Sequence, residues 1–329
     1  LDVLKEDRQS MYTADLWRSA LYITAVIALL WMNVKNKLSQ NLTIVFVGVL
    51  MVADLVFIDK NYVDKEAFVS AREVDVPFQP TQADTEILKD TTIFRVYDIQ
   101  GRLQGRTSYF HKSIGGYSAV KPRRMQQLFD YQIAKNNIEV LNMLNVKYII
   151  QTDSTGASIP VQNPNANGNA WFVDDVLLVN KPDLVMKSLT KVDTKTMAVF
   201  NVQDYGKKFE EAQLKKDWDA SGKIQLEIYK PNYLKYNSEN KGNGLAVFSE
   251  IYYENGWNAY VDGKLTDHFP VNYVLRAMVV PAGKHTIEFK FEPQVVKTGS
   301  RIALFSFIGM VLLLSGGIYF QRKKSLNLK

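Results

Sequence analysis

The residues best suited to ligand chemistry lie together in one stretch, 109–124, with the sequence YFHKSIGGYSAVKPRR. Its sixteen residues include four cations, one histidine and three aromatic side chains. An arginine guanidinium can bind a phosphate through two parallel hydrogen bonds, a lysine binds it as a point charge, and aromatic faces suit sugar rings. The stretch therefore predicts a substrate-binding site for a phosphorylated sugar, made of these residues: Tyr109, His111, Lys112, Tyr117, Arg123 and Arg124.

The same composition also fits a simpler role. A basic, solvated loop that leads into a helix beside a membrane surface would contain the same residue types. The Gly115-Gly116 pair would let backbone amides approach an anion, but no GK[ST] follows it, so the stretch is not a nucleotide-binding P-loop. The sequence leaves both interpretations open, a binding site and a solvated basic loop.

Other polar side chains give weaker signals. Asp54 lies inside an apolar run, where a charge is costly and often functional, but it is close enough to the end of the run to reach interfacial water. The three histidines, His111, His268 and His285, are far apart and lack HExxH spacing, so neither a metal site nor a cofactor is predicted. No GxSxG elbow and no marked pair of carboxylates identifies a catalytic centre, and the catalytic residues remain unknown.

Three apolar runs are long enough to cross a membrane as helices: 16–32, 42–58 and 302–320. Lysine and arginine outnumber acids in the connection 33–41 and in the tail 321–329, so the positive-inside rule predicts both segments to be cytoplasmic. Residues 59–301 are then extracytoplasmic. An N-terminus that begins outside without a signal segment predicts further spans upstream.

Charge and cysteine content limit the partners. The net charge of +6 does not indicate a nucleic-acid partner, because four of the cations lie in the tail 321–329 beside an apolar run. The expected partner is instead the lipid bilayer. The sequence contains no cysteine, which excludes disulfides and thiolate metal ligands.

The polar region predicts two units. Residues 59–189 have mixed signals, with strands at 93–99, 146–151 and 170–179, a helix over 123–144 and a loop over 152–168. Residues 190–298 show strands only, separated by turn residues, which is typical of an antiparallel sandwich. Its six predicted strands are 197–202, 224–229, 245–253, 257–261, 273–280 and 286–291.

Alternation within the last predicted strand fixes its inward face. Ile287, Phe289 and Phe291 share one side of the strand, and polar residues share the other. Four further aromatic residues belong to two of the preceding predicted strands. They would form either a sugar-stacking face or sandwich core, and strand spacing favours core. These four are Tyr252, Tyr253, Trp257 and Tyr260.

The fold class that follows is a membrane-anchored α+β protein. It has transmembrane helices, an extracytoplasmic α/β unit and a C-terminal antiparallel β-sandwich. The predicted organisation is 1–58 for two transmembrane helices, 59–189 for the α+β unit, 190–298 for the sandwich, and 299–329 for the last helix and its basic cytoplasmic tail.

Several separated motifs resemble the bacterial YfhO-type membrane proteins. The segments SEIYYENGWNAYVDGK and NYVLRAMVVPAGKHTIEFKFEP are similar to the C-terminal domain of that family. Three upstream segments extend the resemblance over most of the chain: TSYFHKSIGGYSAVKPRRMQ, IEVLNMLNVKYII and NPNANGNAWFV.

The resemblance implies a function. Members of the family resemble glycosyltransferases of the C fold, which use polyprenyl-phosphate sugars outside the cytoplasmic membrane, and some are implicated in glycosylating cell-wall polymers. The expected activity is therefore transfer of a sugar to a cell-envelope glycan by a multi-pass protein of the bacterial cytoplasmic (inner) membrane. The catalytic acid of that fold is expected in an extracytoplasmic loop upstream of these residues, so no catalytic role is carried over. The alternative is a non-catalytic carbohydrate-binding or interaction module of a membrane transport or assembly protein.

Overall fold

The computed structural model describes residues 2–63, 65–203 and 218–326. The end of the basic tail, including Lys329, lies outside the described residues, so its predicted cytoplasmic position is a matter for experiment. By their internal contacts the residues form two compact units, Leu1–Gln79 and Pro80–Lys329.

The first unit is helical. It contains α1 (Asp2–Val34), α2 (Gln40–Asp59), a short 3-10 helix (Lys65–Ala67) and α3 (Ala71–Asp75). Helix α2 begins where the Ser39 hydroxyl accepts a hydrogen bond from the amide of Leu42, which satisfies one of the free donors at a helix N-terminus. Both long helices are apolar enough to cross a membrane, and they contain the predicted spans 16–32 and 42–58.

The second unit begins with short helices around small sheets. Its helices are α4 (Gln82–Ile87), α5 (Arg106–Phe110), α6 (Arg123–Tyr131), the 3-10 helix Ile133–Lys135, α7 (Ile138–Met143) and α8 (Pro182–Ser188). Strands β1 (Arg95–Asp98), β2 (Val146–Thr152) and β3 (Ser158–Gln162) form one sheet, in which β1 runs parallel and β3 antiparallel to β2. Strands β5 (Asp175–Val179) and β6 (Met197–Asn201) form a separate parallel pair.

Two predictions for this part are wrong in detail. The single helix over 123–144 is broken into three short ones, because Asn136 adopts a left-handed φ of 58° and ends the 3-10 segment. The loop predicted over 152–168 contains β3. The residues of β3 pair with β2 although glycine and proline residues are frequent in this region.

The remaining strands form two packed sheets that do not close into a barrel. The strands are β4 (Ala170–Val173), β7 (Lys223–Lys230), β8 (Tyr233–Asn240), β9 (Gly244–Ile251), β10 (Trp257–Val261), β11 (Lys264–Thr266), β12 (Phe269–Val271), β13 (Leu275–Val280) and β14 (Gly283–Phe291). One sheet has the order β11-β10-β14-β8-β7 and the other the order β12-β13-β9-β4. The predicted membrane-anchored α+β class and its antiparallel sandwich are confirmed.

The strand assignment within the sandwich needs several corrections, and the short strands β11 and β12 were not predicted. The predicted strand 197–202 is β6, which pairs with β5 outside both sandwich sheets. Strand β8 was not predicted, because its inward residues include Ser238 and Asn240 and therefore break the apolar alternation. Strand β4 comes before the predicted domain boundary at 189–190, yet it pairs with β9, which comes after that boundary.

The two sheets enclose an aromatic core. Phe289 of β14 packs against Phe248 of β9 with ring centroids 4.9 Å apart, and Tyr236 of β8 lies 5.0 Å from the same Phe248 ring. Ile287 and Phe289 are fully buried, as their alternation predicted, and Phe291 is half-buried against Trp257. This core holds the five-stranded sheet on the four-stranded one.

The four-stranded sheet is buried on both faces. Alternate residues of β9 reach the sandwich core, while Leu245 and Val247 pack with the helices α6 and α7 in a second core. A strand covered on both sides has no polar face, which explains the continuous apolar run LAVF at 245–248.

The sandwich passes directly into a third long apolar helix, α9 (Gln294–Leu326). Glu292, which follows β14, donates its amide to the carbonyl of Gly256 at a distance of 2.6 Å. Gly256 has a φ of 123°, and a Cβ on it would lie 3.0 Å from the Pro293 side chain, so this junction requires glycine. The connection between β9 and β10 is thus held against the residues that lead into α9.

Candidate functional site

His111 is buried and held by a carboxylate that the sequence did not single out. Its Nε2 atom donates to Asp84 Oδ1 at 3.0 Å. Arg106 pairs with the other oxygen of the same carboxylate, which also accepts from the amide and hydroxyl of Thr81. Because Asp84 is fully buried, burial by itself would raise the pKa of its carboxyl, but the bonds from Thr81, Arg106 and His111 hold that pKa below its ordinary value.

Lys112 and the glycine pair serve the fold around this carboxylate. Lys112 Nζ lies 4.9 Å from the ring centroid of Tyr229 on β7. The amide of Gly115 donates to Ser113 Oγ at 3.0 Å and that of Gly116 to the carbonyl of Arg102 at 2.8 Å. Both amides are therefore already used within the protein, and the expectation that they approach an anion is wrong.

The two tyrosines of the stretch lie at its surface. Tyr109 is 48% exposed and stacks edge-to-face on Phe110, with centroids 5.0 Å apart. Tyr117 is 81% exposed. Neither residue lines the cavity that contains both Arg123 and Arg124, so the predicted six-residue site is spread over different surroundings.

Asp54 has a local partner inside the first unit. Arg18 of α1 lies with its Nε atom 3.3 Å from Asp54 Oδ1 on α2, and its Nη2 atom lies 2.5 Å from Asp15. An ion pair between two apolar helices lowers the cost of both charges. This pairing favours a structural role for Asp54 over a binding role.

Arg123 and Arg124 line a cleft of about 300 Å³. Both lie in the first turn of α6, whose N-cap residue is Pro122 and whose first turn contains no acid. A helix N-terminus carries partial positive charge and usually has a capping acceptor or an acid nearby. Two arginines at this position concentrate positive potential that the helix itself does not offset, which suits a bound anion.

The opposite wall of the cleft comes from the sandwich. Tyr252, Tyr253, Glu254 and Asn255, all in the connection between β9 and β10, contribute aromatic faces and polar groups. Tyr253 is 52% exposed, so the prediction that it belongs to the sandwich core is wrong, whereas Trp257 does pack against that core.

Tyr273 closes the cleft on a third side. The Arg124 guanidinium lies 5.4 Å from its ring centroid and donates to its carbonyl oxygen at 3.3 Å. Sequence patterning assigned Tyr273 to a strand, but it lies in the turn between β12 and β13. Its role was not predictable, because the arginines that contact it are about 150 positions earlier in the chain.

The cleft lies at the end of the sandwich from which α9 leaves. Asn255 lines it, and the next residue, Gly256, contacts Pro293 and accepts the amide of Glu292. Residues 294–301 rise by about 12 Å along the helix before the uncharged run 302–320 begins, and a headgroup layer is about 5–8 Å thick. The cleft is therefore close to the point at which the apolar helix α9 begins.

A membrane-anchored α+β protein with a cationic, aromatic-lined cleft beside its last apolar helix is the class that these observations define. Residues 187–303 match the family model described as "Bacterial membrane protein YfhO". This match confirms, over residues 187–303, the resemblance to YfhO-type membrane proteins that the motifs predicted. No curated protein and no solved structure gives a significant match.

Proposed function

We propose that these residues are the C-terminal part of a polyprenyl-phosphate-sugar-dependent glycosyltransferase that acts on cell-envelope glycans. The observation that carries the proposal is the uncapped N-terminus of α6, where Arg123 and Arg124 line the cleft opposite Tyr252 and Tyr253. A lipid-linked phospho-sugar combines a phosphate for the arginines, a sugar ring for the tyrosines, and a lipid that remains in the membrane beside α9.

In the proposed reaction a hydroxyl oxygen of the acceptor glycan forms a bond to the anomeric carbon of the sugar. The bond between that carbon and the phosphate oxygen breaks, and the polyprenyl phosphate leaves with the electron pair. The hydroxyl proton passes to a carboxylate base, a role that we assign to none of the residues described. Arg123 and Arg124 would bind the phosphate and stabilise the charge that develops on it as it leaves.

Replacing Arg123 or Arg124 with alanine is expected to weaken donor use by about ten- to a hundredfold, since a partly desolvated arginine–phosphate contact contributes about 1.5–3 kcal/mol. Arg123→Lys should restore only part of the loss, because the planar fork is absent. The measurement is sugar transfer by the full-length protein in membranes, with expression quantified separately.

Lys112→Ala is the matched control, because it removes a cation of the same stretch whose ammonium group lies over Tyr229. It should change donor use by less than about threefold. If Arg123→Ala and Arg124→Ala together leave transfer unchanged, the cleft is not the donor site. Retained binding of a polyprenyl phosphate without any transfer would instead favour the non-catalytic carbohydrate-binding module.

The proposed function requires a fixed orientation in the bacterial cytoplasmic membrane. Cation excess predicts Lys35 and Lys329 inside, with Gly168 and Asn240 outside. Because Asn240 is buried, its exposed neighbour Lys241 is the position to label in its place. Single cysteines should react with an impermeant thiol reagent in intact cells at Gly168 and Lys241, and not at Lys35 or Lys329. Since the native sequence has no cysteine, labelling at Lys35 would contradict the orientation directly.

A further inference from the structure

Tyr273 adopts a backbone conformation that tyrosine rarely occupies. Its φ is 71°, and the amide of Val274 donates to the carbonyl of Asn272 at 2.9 Å, so Tyr273 is the central residue of a three-residue γ-turn with positive φ. That form of the γ-turn is rare and strained, and for a bulky residue a positive φ is an outlier. Glycine would fit this position without the steric cost.

The surrounding residues hold the strained turn in place. Asn272 is fully buried, its Oδ1 atom accepts from the amide of Val199 at 2.7 Å, and its own amide donates to the Val199 carbonyl at 2.9 Å. The Tyr273 hydroxyl donates to Gln127 Oε1 at 2.8 Å. A strained residue that its neighbours over-determine in this way, beside a cavity, is typical of functional sites.

Tyr273 lines three cavities, the smallest of which, of about 10 Å³, also contains Arg124. One is the cleft of about 300 Å³ with Arg123 and Arg124. Another is a groove of about 630 Å³ lined by residues of α6 and α8, with both polar and apolar side chains. The groove residues that can bond hydroxyl groups include Gln127, Lys135, Asp183, Lys187, Thr190 and Lys191.

We propose that Tyr273 divides two subsites of one site, the cleft for the phospho-sugar and the groove for the hydroxyl-bearing acceptor glycan. This inference rests on the proposed function. With the ring in place the acceptor approaches the sugar from the groove, and bulk water is kept from the anomeric carbon. Without the ring the cleft and the groove merge, and water competes with the acceptor for the sugar.

The first experiment tests the strain with matched truncations in the purified full-length protein. At most positions alanine is more stabilising than glycine, but at a positive φ the order reverses. Tyr273→Gly should therefore melt a few degrees above Tyr273→Ala. Tyr253→Gly and Tyr253→Ala form the control, since Tyr253 lines the same cleft without a positive φ, and there alanine should melt higher. The same order at both positions would overturn the inference.

The second experiment measures how the donor sugar is divided between transfer to the acceptor glycan and hydrolysis by water. A panel of polyprenyl-phosphate hexoses is offered to the full-length protein in membranes that contain its own glycans, and transfer is compared with hydrolysis for the donor that the wild type uses. Tyr273→Gly should raise the ratio of hydrolysis to transfer by about tenfold or more. Because the Tyr273 ring packs on Arg124, the donor KM is measured alongside, and the ratio compares two fates of donor that is already bound. Tyr273→Phe keeps the ring and should leave the ratio near that of the wild type.

The outcomes separate this inference from the proposed function. If the wild type uses no donor, the proposed function fails and the inference fails with it. If Arg124→Ala raises the donor KM but Tyr273→Gly leaves the hydrolysis ratio unchanged, the donor cleft stands and the dividing role of Tyr273 is wrong. A ratio that rises equally in Tyr273→Phe and Tyr273→Gly would also overturn it, because the hydroxyl and not the ring would then be responsible.

Discussion

Phe289→Ala is expected to lower the free energy of unfolding of the sandwich by about 3–5 kcal/mol. The Phe289 side chain is fully buried and lies at the centre of an aromatic cluster, 4.9 Å from the Phe248 ring and 6.1 Å from the Tyr236 ring. The guanidinium of the buried Arg276 also lies 4.9 Å from its ring centroid. Alanine would leave a cavity between the two sheets and remove the aromatic contact from a buried cation.

The measurement is denaturant unfolding followed by tryptophan fluorescence. Lys284→Ala is the control on the same strand, since its side chain is 79% exposed and its ion pair with Glu239 is at the surface. It should change the free energy by about 0.5 kcal/mol or less. Similar losses at Phe289 and Lys284 would mean that the register of β14 is wrong.

Asp84→Ala is expected to destabilise the second unit by about 3 kcal/mol, because it leaves Arg106 and His111 without their shared buried carboxylate. It also removes the acceptor for the amide of Thr81, so that α4 loses its reciprocal capping box. Asp84→Asn should cost less, since the amide oxygen can still accept one of these bonds.

The effect of Asp84 has a defined dependence on pH. Its carboxyl pKa is lowered in the folded protein, so its contribution is present above the unfolded pKa of about 4 and is lost as the pH falls through the folded value. The wild type should therefore lose more stability than Asp84→Asn between pH 5 and pH 2, as measured by thermal unfolding. Asp130→Ala is the control, because Asp130 is exposed on α6 and bonds the side chain of Gln126. An equal acid response in the wild type and Asp84→Asn would contradict the proposed bond network.

The sequence by itself was sufficient for features that depend on local pattern. The three apolar helices were predicted because a membrane span needs about 20 consecutive apolar residues, which no tertiary contact has to supply. The inward face of β14 followed from strict alternation around Ile287 and Phe289. The family resemblance likewise rests on motifs that are contiguous in the sequence.

The sequence was insufficient to predict a strand or helix where the local pattern and the tertiary contacts disagree. Strand β8 has polar inward residues, and it becomes a strand because both of its neighbours, β7 and β14, supply backbone partners. The region 123–144 has near-helical spacing, but Asn136 in the left-handed region divides it, and residues on both sides of this break pack into the same core.

The candidate site was predicted only in part for the same reason. Arg123 and Arg124 were found because charge density is a local property of the sequence. Tyr252 and Tyr273 lie on the far wall of the cleft, and only the pairing of β9 with β13 brings them opposite α6. Asp84 is isolated in the sequence, and its burial beneath His111 and Arg106 depends on contacts across more than 20 positions. The arginines, the tyrosines and Asp84 share one physical cause. The type of a side chain is encoded locally in the sequence, but its solvent exposure and its partners are set by the packing of distant strands and helices.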